Sequence, residues 1–246
     1  MKMKNKDIWT PTKFVITKNG LKASRDPKEV GRGSRFIADI QAELYEKALK
    51  EHAKGLLLDL GCGKVPLYEI YKPHITDNIC IDWPNTSHPS LYLDYEYDLN
   101  KVIPLKSSNF DTILASDVLE HIANPDIFWS EIARLLKPKG KLIMGIPFLY
   151  WIHEAPYDYY RYTEYKLRMF CDKEDLKIVM LETFGGFMEV IIDMLAKRFA
   201  PSRIPASLIT FFGKTLMLLS SQKKSQITEI EKFPLGYCLV AEKNEA

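Results

Sequence analysis

Two histidines are placed where acid–base chemistry could occur. His121 and His153 each follow, after a few residues, an apolar run that is typical of a buried strand. Imidazole titrates near neutral pH, so either side chain could remove a proton from a hydroxyl group. We treat both as candidates for a catalytic base. The alternative for His121, in the segment LEHI, is a packing residue that bonds a loop.

A second set of residues is suited to binding a nucleoside. Gly61 and Gly63 directly follow the buried run GLLLDL, and glycine there lets the backbone approach a ligand without a Cβ. Asp59 precedes them, and Asp82 ends the next strand, where a carboxylate can accept hydrogen bonds from both ribose hydroxyls or simply cap the strand. Pro66 replaces the third glycine of the dinucleotide fingerprint, which disfavours an NAD-dependent oxidoreductase.

The segment HEAPYDYYRYT, residues 153–163, is suited to contact an acceptor molecule. Tyr159 and Tyr160 offer flat rings with hydroxyl groups that can stack on sugar or aromatic faces. Arg161 can hold a carboxylate or phosphate with its planar fork. In the alternative, Asp158 and Arg161 pair with each other and fix the shape of the loop. We expect the segment to do both.

Alternating strands and helices must position these residues. A helix is predicted over 34–50 with Ser34 as its cap, and others follow Asn124 and Thr163. Two more helices, broken at PSRIP, are predicted within 187–221. The predicted strands are 55–60, 78–82, 90–98, 110–116, 140–147, 177–184 and 234–243. Such alternation favours a parallel sheet covered on both faces, with the carboxyl ends of its strands at one edge.

Four segments in order, LLLDLGCGK, ICIDW, FDTILASDVLEHI and EIARLLKPKGKLIMGIP, resemble the class I S-adenosylmethionine-dependent methyltransferases of the type 11 group. The resemblance covers roughly residues 55–184. It implies an α/β fold with a Rossmann-like, doubly wound, seven-stranded sheet, mostly parallel with an antiparallel last strand. The chain departs from the family where Lys64 or Val65 replaces a further glycine and where KPKG replaces KPGG.

The resemblance also implies roles for residues around S-adenosyl-L-methionine. Gly61 and Gly63 line the methionine moiety and Asp59 lies near its amino group. Asp82 holds the ribose hydroxyls. The remaining implied contacts are Asp98 and Leu99 at the adenine, and Ser116 and Asp117 beside the methionine.

These features favour a methyltransferase that modifies a small or glycan-like acceptor, with oxygen as the favoured acceptor atom. Methyl transfer from a sulfonium is an in-line displacement that needs positioning and removal of a proton and requires no metal. Two alternatives remain: a noncatalytic cofactor-binding module of the same fold, and an RNA methyltransferase.

Charge divides the chain into two parts. The 246 residues carry 34 Lys and Arg against 32 Asp and Glu, and this balance gives no support for binding nucleic acid. Residues 1–33 form a basic N-terminal arm, expected to be a solvated tail. The domain then runs over 34–246, with a helical insertion at about 187–221 that could mediate a homodimer.

Cysteine usage and apolar segments favour a cytoplasmic protein. The four cysteines form no C-x-x-C pair, so a disulfide framework is not indicated. The N-terminus lacks the apolar region of a signal peptide. Lys214 interrupts the most apolar late segment, so a transmembrane span is not expected.

Overall fold

A seven-stranded sheet lies at the centre of the computed structural model, which describes residues 3–84, 91–200 and 230–245. In chain order, the described strands are Phe14–Thr17 (β1), Gly20–Ala23 (β2), Gly55–Leu60 (β3), Ile75–Asp82 (β4), Tyr95–Glu96 (β5), Phe110–Ser116 (β6), Leu136–Pro147 (β7), Leu176–Phe184 (β8) and Gly236–Lys243 (β9). The described α-helices are Arg35–His52 (α1), Tyr68–Tyr71 (α2), Pro125–Leu135 (α3), Glu164–Lys173 (α4) and Phe187–Phe199 (α5).

The central sheet has the order β5-β4-β3-β6-β7-β9-β8. The first five of these strands pair in parallel, whereas β9 is antiparallel to both of its neighbours. This confirms the predicted α/β class and the antiparallel last strand. The strand order reverses at β3, so the carboxyl ends of β3, β4 and β6 open a crevice of the kind that binds ligands in such sheets.

The continuous apolar run in β3 reflects packing on both faces of the sheet. Leu58 and Leu60 lie fully buried in the core that includes α3 and α4. Leu57 lies fully buried on the other face, beneath α1. A strand covered on both sides has no polar face, which is why its sequence lacks alternation.

The predicted strand at 90–98 is wrong in extent. Within the described residues only Tyr95 and Glu96 pair as strand β5. Before them, the N–H of Asp94 donates to the Cys80 carbonyl at 3.0 Å, but the N–H of Cys80 bonds a carboxylate oxygen of Asp94, at 2.8 Å, and not a backbone carbonyl. Strand β7 in turn begins at Leu136, directly after α3, rather than at Gly140.

The N-terminal arm is folded against the domain and is not the solvated tail that we expected. Strands β1 and β2 form a hairpin on α1. The exposed N–H groups of β2 find acceptors on that helix: Leu21 donates to Glu46 at 2.8 Å and Ala23 to Asp39 at 3.0 Å. Arg25 pairs with the same Asp39. Acidic residues of α1 thus neutralise part of the basic arm.

Helix α1 begins within one residue of its prediction, but Ser34 makes no side-chain cap bond. Thr163 caps α4 as predicted, since its hydroxyl accepts the N–H of Lys166 at 3.5 Å. Helix α5 covers the first part of the predicted 187–221 region. The break at PSRIP and the second helix lie outside the described residues, so the homodimer stays a prediction. Among the described residues, no helix has the length and apolarity to cross a membrane.

Candidate functional site

The glycine turn after β3 begins the site. Gly61 has a φ of +66° and Gly63 a φ of +49°, in the left-handed region that glycine adopts at low cost. A Cβ on Gly61 would lie 2.5 Å from a methyl group of Val118. The N–H groups of Gly61 and Cys62 both donate to the Ile81 carbonyl, at 2.8 and 3.1 Å. The turn is therefore tied to the end of β4 and leaves no room for a side chain at Gly61.

A cavity of about 110 Å³ lies on one side of this turn. Asp82 stands at its base, where one carboxylate oxygen accepts the N–H of Gly63 and the other that of Trp83, each at 2.8 Å. Leu99 and Ile122 give it apolar walls, closed by the ring pair of Trp83 and Tyr157, whose centroids are 4.6 Å apart.

Asp98 also lines this smaller cavity and stays ionised readily. Its carboxylate accepts the backbone and side-chain N–H groups of Asn100 at 3.0 and 2.9 Å. Burial opposes ionisation, but these bonds and the nearby Lys101 lower the pKa of Asp98 below its usual value. Asp82 and Asp98 are thus two of the four acidic residues that line this cavity beside its apolar wall.

Asp59 does not reach either cavity that adjoins the turn. It lies 1% exposed behind the turn, where one oxygen accepts the hydroxyl of Tyr71 at 3.3 Å. The other oxygen accepts no hydrogen bond from any residue that the structure describes. Burial raises the pKa of Asp59 to about 8. The structure therefore gives Asp59 a place beneath the site, not the direct ligand contact implied by the resemblance.

A larger cavity of about 370 Å³ lies on the other side of the turn. The arm forms its roof, through Thr12, Lys13 and Phe14. Ser116 lies at its floor, as the end of β6. The segment after β7 contributes its far wall. The residues of that wall and of the neighbouring turn are Glu120, His121, Tyr150, His153 and Glu154.

Asp117 joins the roof to the floor and lines both cavities. It adopts a φ of +55° directly after β6. Lys13 pairs with one carboxylate oxygen at 2.9 Å, while Gln41 and Tyr45 donate to the other at 3.0 and 3.3 Å. Although burial opposes it, the charge of Asp117 raises the pKa of Lys13, so the arm is held by a charged pair.

Glu120, His121 and His153, which we name the Glu–His–His cluster, converge at the edge of the larger cavity. The Glu120 side chain is fully buried, and Nε2 of each imidazole lies 3.7 Å from its Oε1. Burial and the charge of Asp117 raise the pKa of Glu120. Burial disfavours the imidazolium of His153, but the charge of Glu120 outweighs it and raises the pKa of His153. The two predicted bases are therefore brought together, with their rings 4.8 Å apart.

Arg161 builds the loop that carries His153. Its fork bonds both oxygens of Asp158, at 2.5 and 2.7 Å, and its remaining N–H groups reach the carbonyls of Tyr150, Trp151 and Tyr160. All five donors of the guanidinium are thus used within the protein. The pair also lowers the pKa of Asp158 to about 2. The structure contains the predicted pair that shapes the loop, and the contact of Arg161 with a substrate stays a prediction.

Tyr159 and Tyr160 hold the loop in place rather than line a cavity. Their backbone N–H groups both donate to the carbonyl of Glu120, at 2.9 and 3.3 Å, and their rings are 45% and 41% exposed. The predicted acceptor contact by these two side chains is therefore not seen at either cavity. Tyr150 and Tyr157 line the cavities in their place.

The sequence analysis missed several lining residues, among them Lys13, Trp83, Glu120 and Tyr150. Lys13 sits in a basic arm among similar residues, and Tyr150 in an aromatic run, so neither carries a local signal. Glu120 was overlooked beside His121, although LEHI was singled out. Trp83 directly follows Asp82 at a strand end, and that position could have indicated it.

The comparisons with known proteins agree with this geometry. Residues 58–144 match the family model described as a methyltransferase domain. A ubiquinone biosynthesis O-methyltransferase from Maricaulis maris is 32% identical over 119 residues, covering 44% of this chain and 47% of that protein. The chain spans about half the length of the curated relatives it matches.

Solved structures of low identity share the fold. The cyclase SpnF superposes with a TM-score of 0.55 at 18% identity, over 85% of this chain and 84% of that one. Phosphoethanolamine N-methyltransferase 2 from Haemonchus contortus, solved with S-adenosyl-L-methionine, gives 0.52 at 16% identity, over 82% and 53%. The strand order and the glycine turn agree with the match over residues 58–144, which identifies a methyltransferase domain in that part of the chain.

Proposed function

We propose that this protein transfers a methyl group from S-adenosyl-L-methionine to an oxygen atom of a small or glycan-like acceptor. One observation carries the proposal. Two cavities of different character meet at Gly61, Gly63 and His121, and the Glu–His–His cluster stands on the larger one. The curated relatives are named O-methyltransferases, which supports oxygen as the acceptor atom.

The smaller cavity fits the nucleoside part of the cofactor. Asp82 lines this cavity at the end of β4, and a carboxylate group is suited to accept hydrogen bonds from a ribose diol as well as from backbone N–H groups. Leu99 and Ile122 provide the apolar surface for a base, and Asp98 an acceptor for its amino group. Since Gly61 has no space for a Cβ, a ligand can lie against the bare backbone.

The acceptor has to be held and deprotonated by the chain itself. When bound, S-adenosyl-L-methionine supplies an electrophilic methyl group together with its leaving group. The larger cavity orients the acceptor between the arm and the far wall, with Phe14 and Tyr150 as aromatic surfaces. His153 and His121 line the same cavity. The Glu–His–His cluster is therefore the part of the site that promotes loss of the proton from the acceptor hydroxyl.

Calorimetric titration with S-adenosyl-L-methionine tests the cofactor site. We expect Asp82→Asn to weaken binding at least about tenfold, because the lost carboxylate accepted the ribose hydroxyls. Asp172→Asn, an exposed carboxylate on α4, is the matched control and should bind like wild type. Equal affinity in all three proteins, or no binding to wild type, would reject the cofactor site.

Transfer of a labelled methyl group to a panel of phenols, catechols and sugars tests the reaction. We expect transfer to an oxygen of at least one class, reduced at least about a hundredfold by His153→Gln with an unchanged melting temperature. Cofactor binding without transfer to any acceptor would instead favour a noncatalytic module of this fold.

A further inference from the structure

The Glu–His–His cluster contains a buried charge with no partner of its own. The Glu120 side chain is 0% exposed, and neither carboxylate oxygen accepts a hydrogen bond from any described residue. The other carboxylates nearby are paired: Asp117 with Lys13, and Asp158 with Arg161. A buried carboxylate without hydrogen bonds is costly, so Glu120 needs a positively charged group that the neighbouring side chains do not supply through a bond.

Nε2 of each imidazole faces Glu120, and it offers a lone pair when the ring is neutral, as a metal ligand must be. Nδ1 of His121 lies 2.8 Å from the carbonyl oxygen of Tyr157, and a carbonyl can only accept, so the proton is assigned to Nδ1. Nδ1 of His153 lies 3.3 Å from a carboxylate oxygen of Asp158 and 3.4 Å from the carbonyl of Trp151, which places its proton there too. In each neutral ring, Nε2 then has a lone pair and faces Glu120.

This arrangement is the one found around metal-bound histidines, which donate their second ring N–H to a carboxylate or a carbonyl. One atom from each member of the cluster lies within 4.8 Å of the others. Two ligands at about 2.1 Å from a tetrahedral ion stand about 3.4 Å apart. The 3.7 Å separations between Glu120 and each imidazole are close to this spacing and too long for a direct hydrogen bond.

We propose that Glu120, His121 and His153 bind a divalent transition-metal ion of the zinc type, with its open coordination position facing the larger cavity. Two neutral imidazoles and one carboxylate are a ligand set that zinc accepts in catalytic sites. The three residues all line that cavity, so an oxygen of the acceptor can complete the coordination.

The ion deepens the proposed function, on which this use of the site rests. An acceptor hydroxyl that coordinates the ion gives its proton to water in the open cavity, and the oxygen stays bound as the nucleophile. The histidines then act as ligands and not as bases. Acceptors with two neighbouring hydroxyls, such as catechols and sugar diols, fit this role best, because both oxygens can bind one ion.

Titration with Zn²⁺ tests the site without cofactor or acceptor. The protein, free of any affinity tag and treated with a chelator, is followed by calorimetry with Zn²⁺ and by the visible absorption of Co²⁺. We expect one ion per chain and coordination by nitrogen and oxygen. His153→Gln should weaken binding at least about a hundredfold. His74→Gln, an exposed histidine distant from the cavities, should bind like wild type.

Glu120→Gln is a second variant that should still fold, because it removes a buried charge and keeps the shape of the side chain. Its melting temperature should be unchanged or higher without metal, and the rise that Zn²⁺ causes in wild type should disappear. No stoichiometric binding, or equal binding by wild type and His153→Gln, would overturn the metal site. Because neither readout uses S-adenosyl-L-methionine, a failure here leaves the Asp82 test of the proposed function standing.

Discussion

A carboxyl group in an apolar interior makes stability depend on pH, and Asp59 is such a group. Burial raises the pKa of Asp59 from 3.8 to about 8 in the folded protein. The folded chain therefore binds this proton more tightly than the unfolded chain. The resulting stabilisation is complete below about pH 4 and is lost as the pH rises through about 8.

Asp59→Asn should remove this dependence. The amide oxygen still accepts the Tyr71 hydroxyl, and the side chain cannot ionise. Between about pH 6 and about pH 8.5, we expect the free energy of unfolding of wild type to fall more than that of the variant. Urea denaturation at both pH values measures the difference. Parallel losses in the two proteins would show that Asp59 does not titrate in this range.

A second prediction at the scale of single residues concerns Gly61. In Gly61→Ala the new Cβ meets Val118 at 2.5 Å and the residue keeps a φ of +66°. We expect a loss of about 2–3 kcal/mol in stability, since both a clash and backbone strain are introduced. Val118→Ala removes the methyl groups that cause the clash and keeps the left-handed backbone, so in that background Gly61→Ala should cost about half as much in thermal unfolding as it does in wild type. No cost in the Val118→Ala background would mean that the left-handed backbone contributes no strain.

The segment between β7 and α4 owes its shape to a single arginine. Arg161→Gln leaves the buried carboxylate of Asp158 without its partner and frees three carbonyls. We expect a loss of about 2 kcal/mol and weaker ordering of His153. Arg168→Gln is the matched control, because it breaks an exposed pair with Glu164 and should change stability by about 0.5 kcal/mol or less. Similar losses in both variants, measured by denaturation, would contradict this account.

The arm is fastened at its start by Trp9. Its indole N–H donates to the Val65 carbonyl at 3.2 Å, and its ring meets Tyr68 edge to face at 5.3 Å. In Trp9→Ala we expect faster trypsin cleavage after Lys13, because local opening of the arm becomes cheaper. Ile8→Ala, in a side chain that is 62% exposed, is the control. Cleavage at equal rates would mean that the hairpin alone holds the arm.

Elements with a strong local pattern could be predicted from the sequence. The buried run of β3, the glycines after it and the Pro125 start of α3 each carry their signal within a few residues, and the family match and strand order confirm the fold they indicate. The strand predicted at 90–98 is shorter in the structure because, at Asp94, a carboxylate oxygen and not a backbone carbonyl accepts the N–H of Cys80. Hydrophobic period and strand propensity do not show where a side chain accepts a bond in place of the backbone.

The candidate site could be predicted only where the ends of neighbouring strands supply it. Asp82 and Gly63 come from adjoining strand ends, and the topology brings those together. Lys13 reaches the site because an arm folds over it, and Glu120 is joined to His153 by a loop held through main-chain bonds. These contacts depend on tertiary packing between distant segments. The cofactor and acceptor roles of the site residues stay predictions.

At the scale of the whole molecule, the uneven distribution of charge helps the arm to pack on the rest of the chain. Lys13, Lys22 and Arg25 of the basic arm pair with acidic residues of the body, so these charges are used within the fold. The same contacts lay the roof of the larger cavity over the crevice. The arm therefore gives no added support to the alternative of an RNA methyltransferase.

The position of β9 constrains the order in which the chain can fold during synthesis. It pairs on one side with β7 and on the other with β8, and the residues just before it bond to the loop after β7, where Phe148 donates to Leu235 at 2.7 Å. A chain that leaves the ribosome from its N-terminus must keep both neighbouring strands as open edges until 236–243 has been made. The crevice at the ends of β3, β4 and β6 can therefore form early in the nascent protein, but the wall of the larger cavity that follows β7 closes only after translation has passed β9.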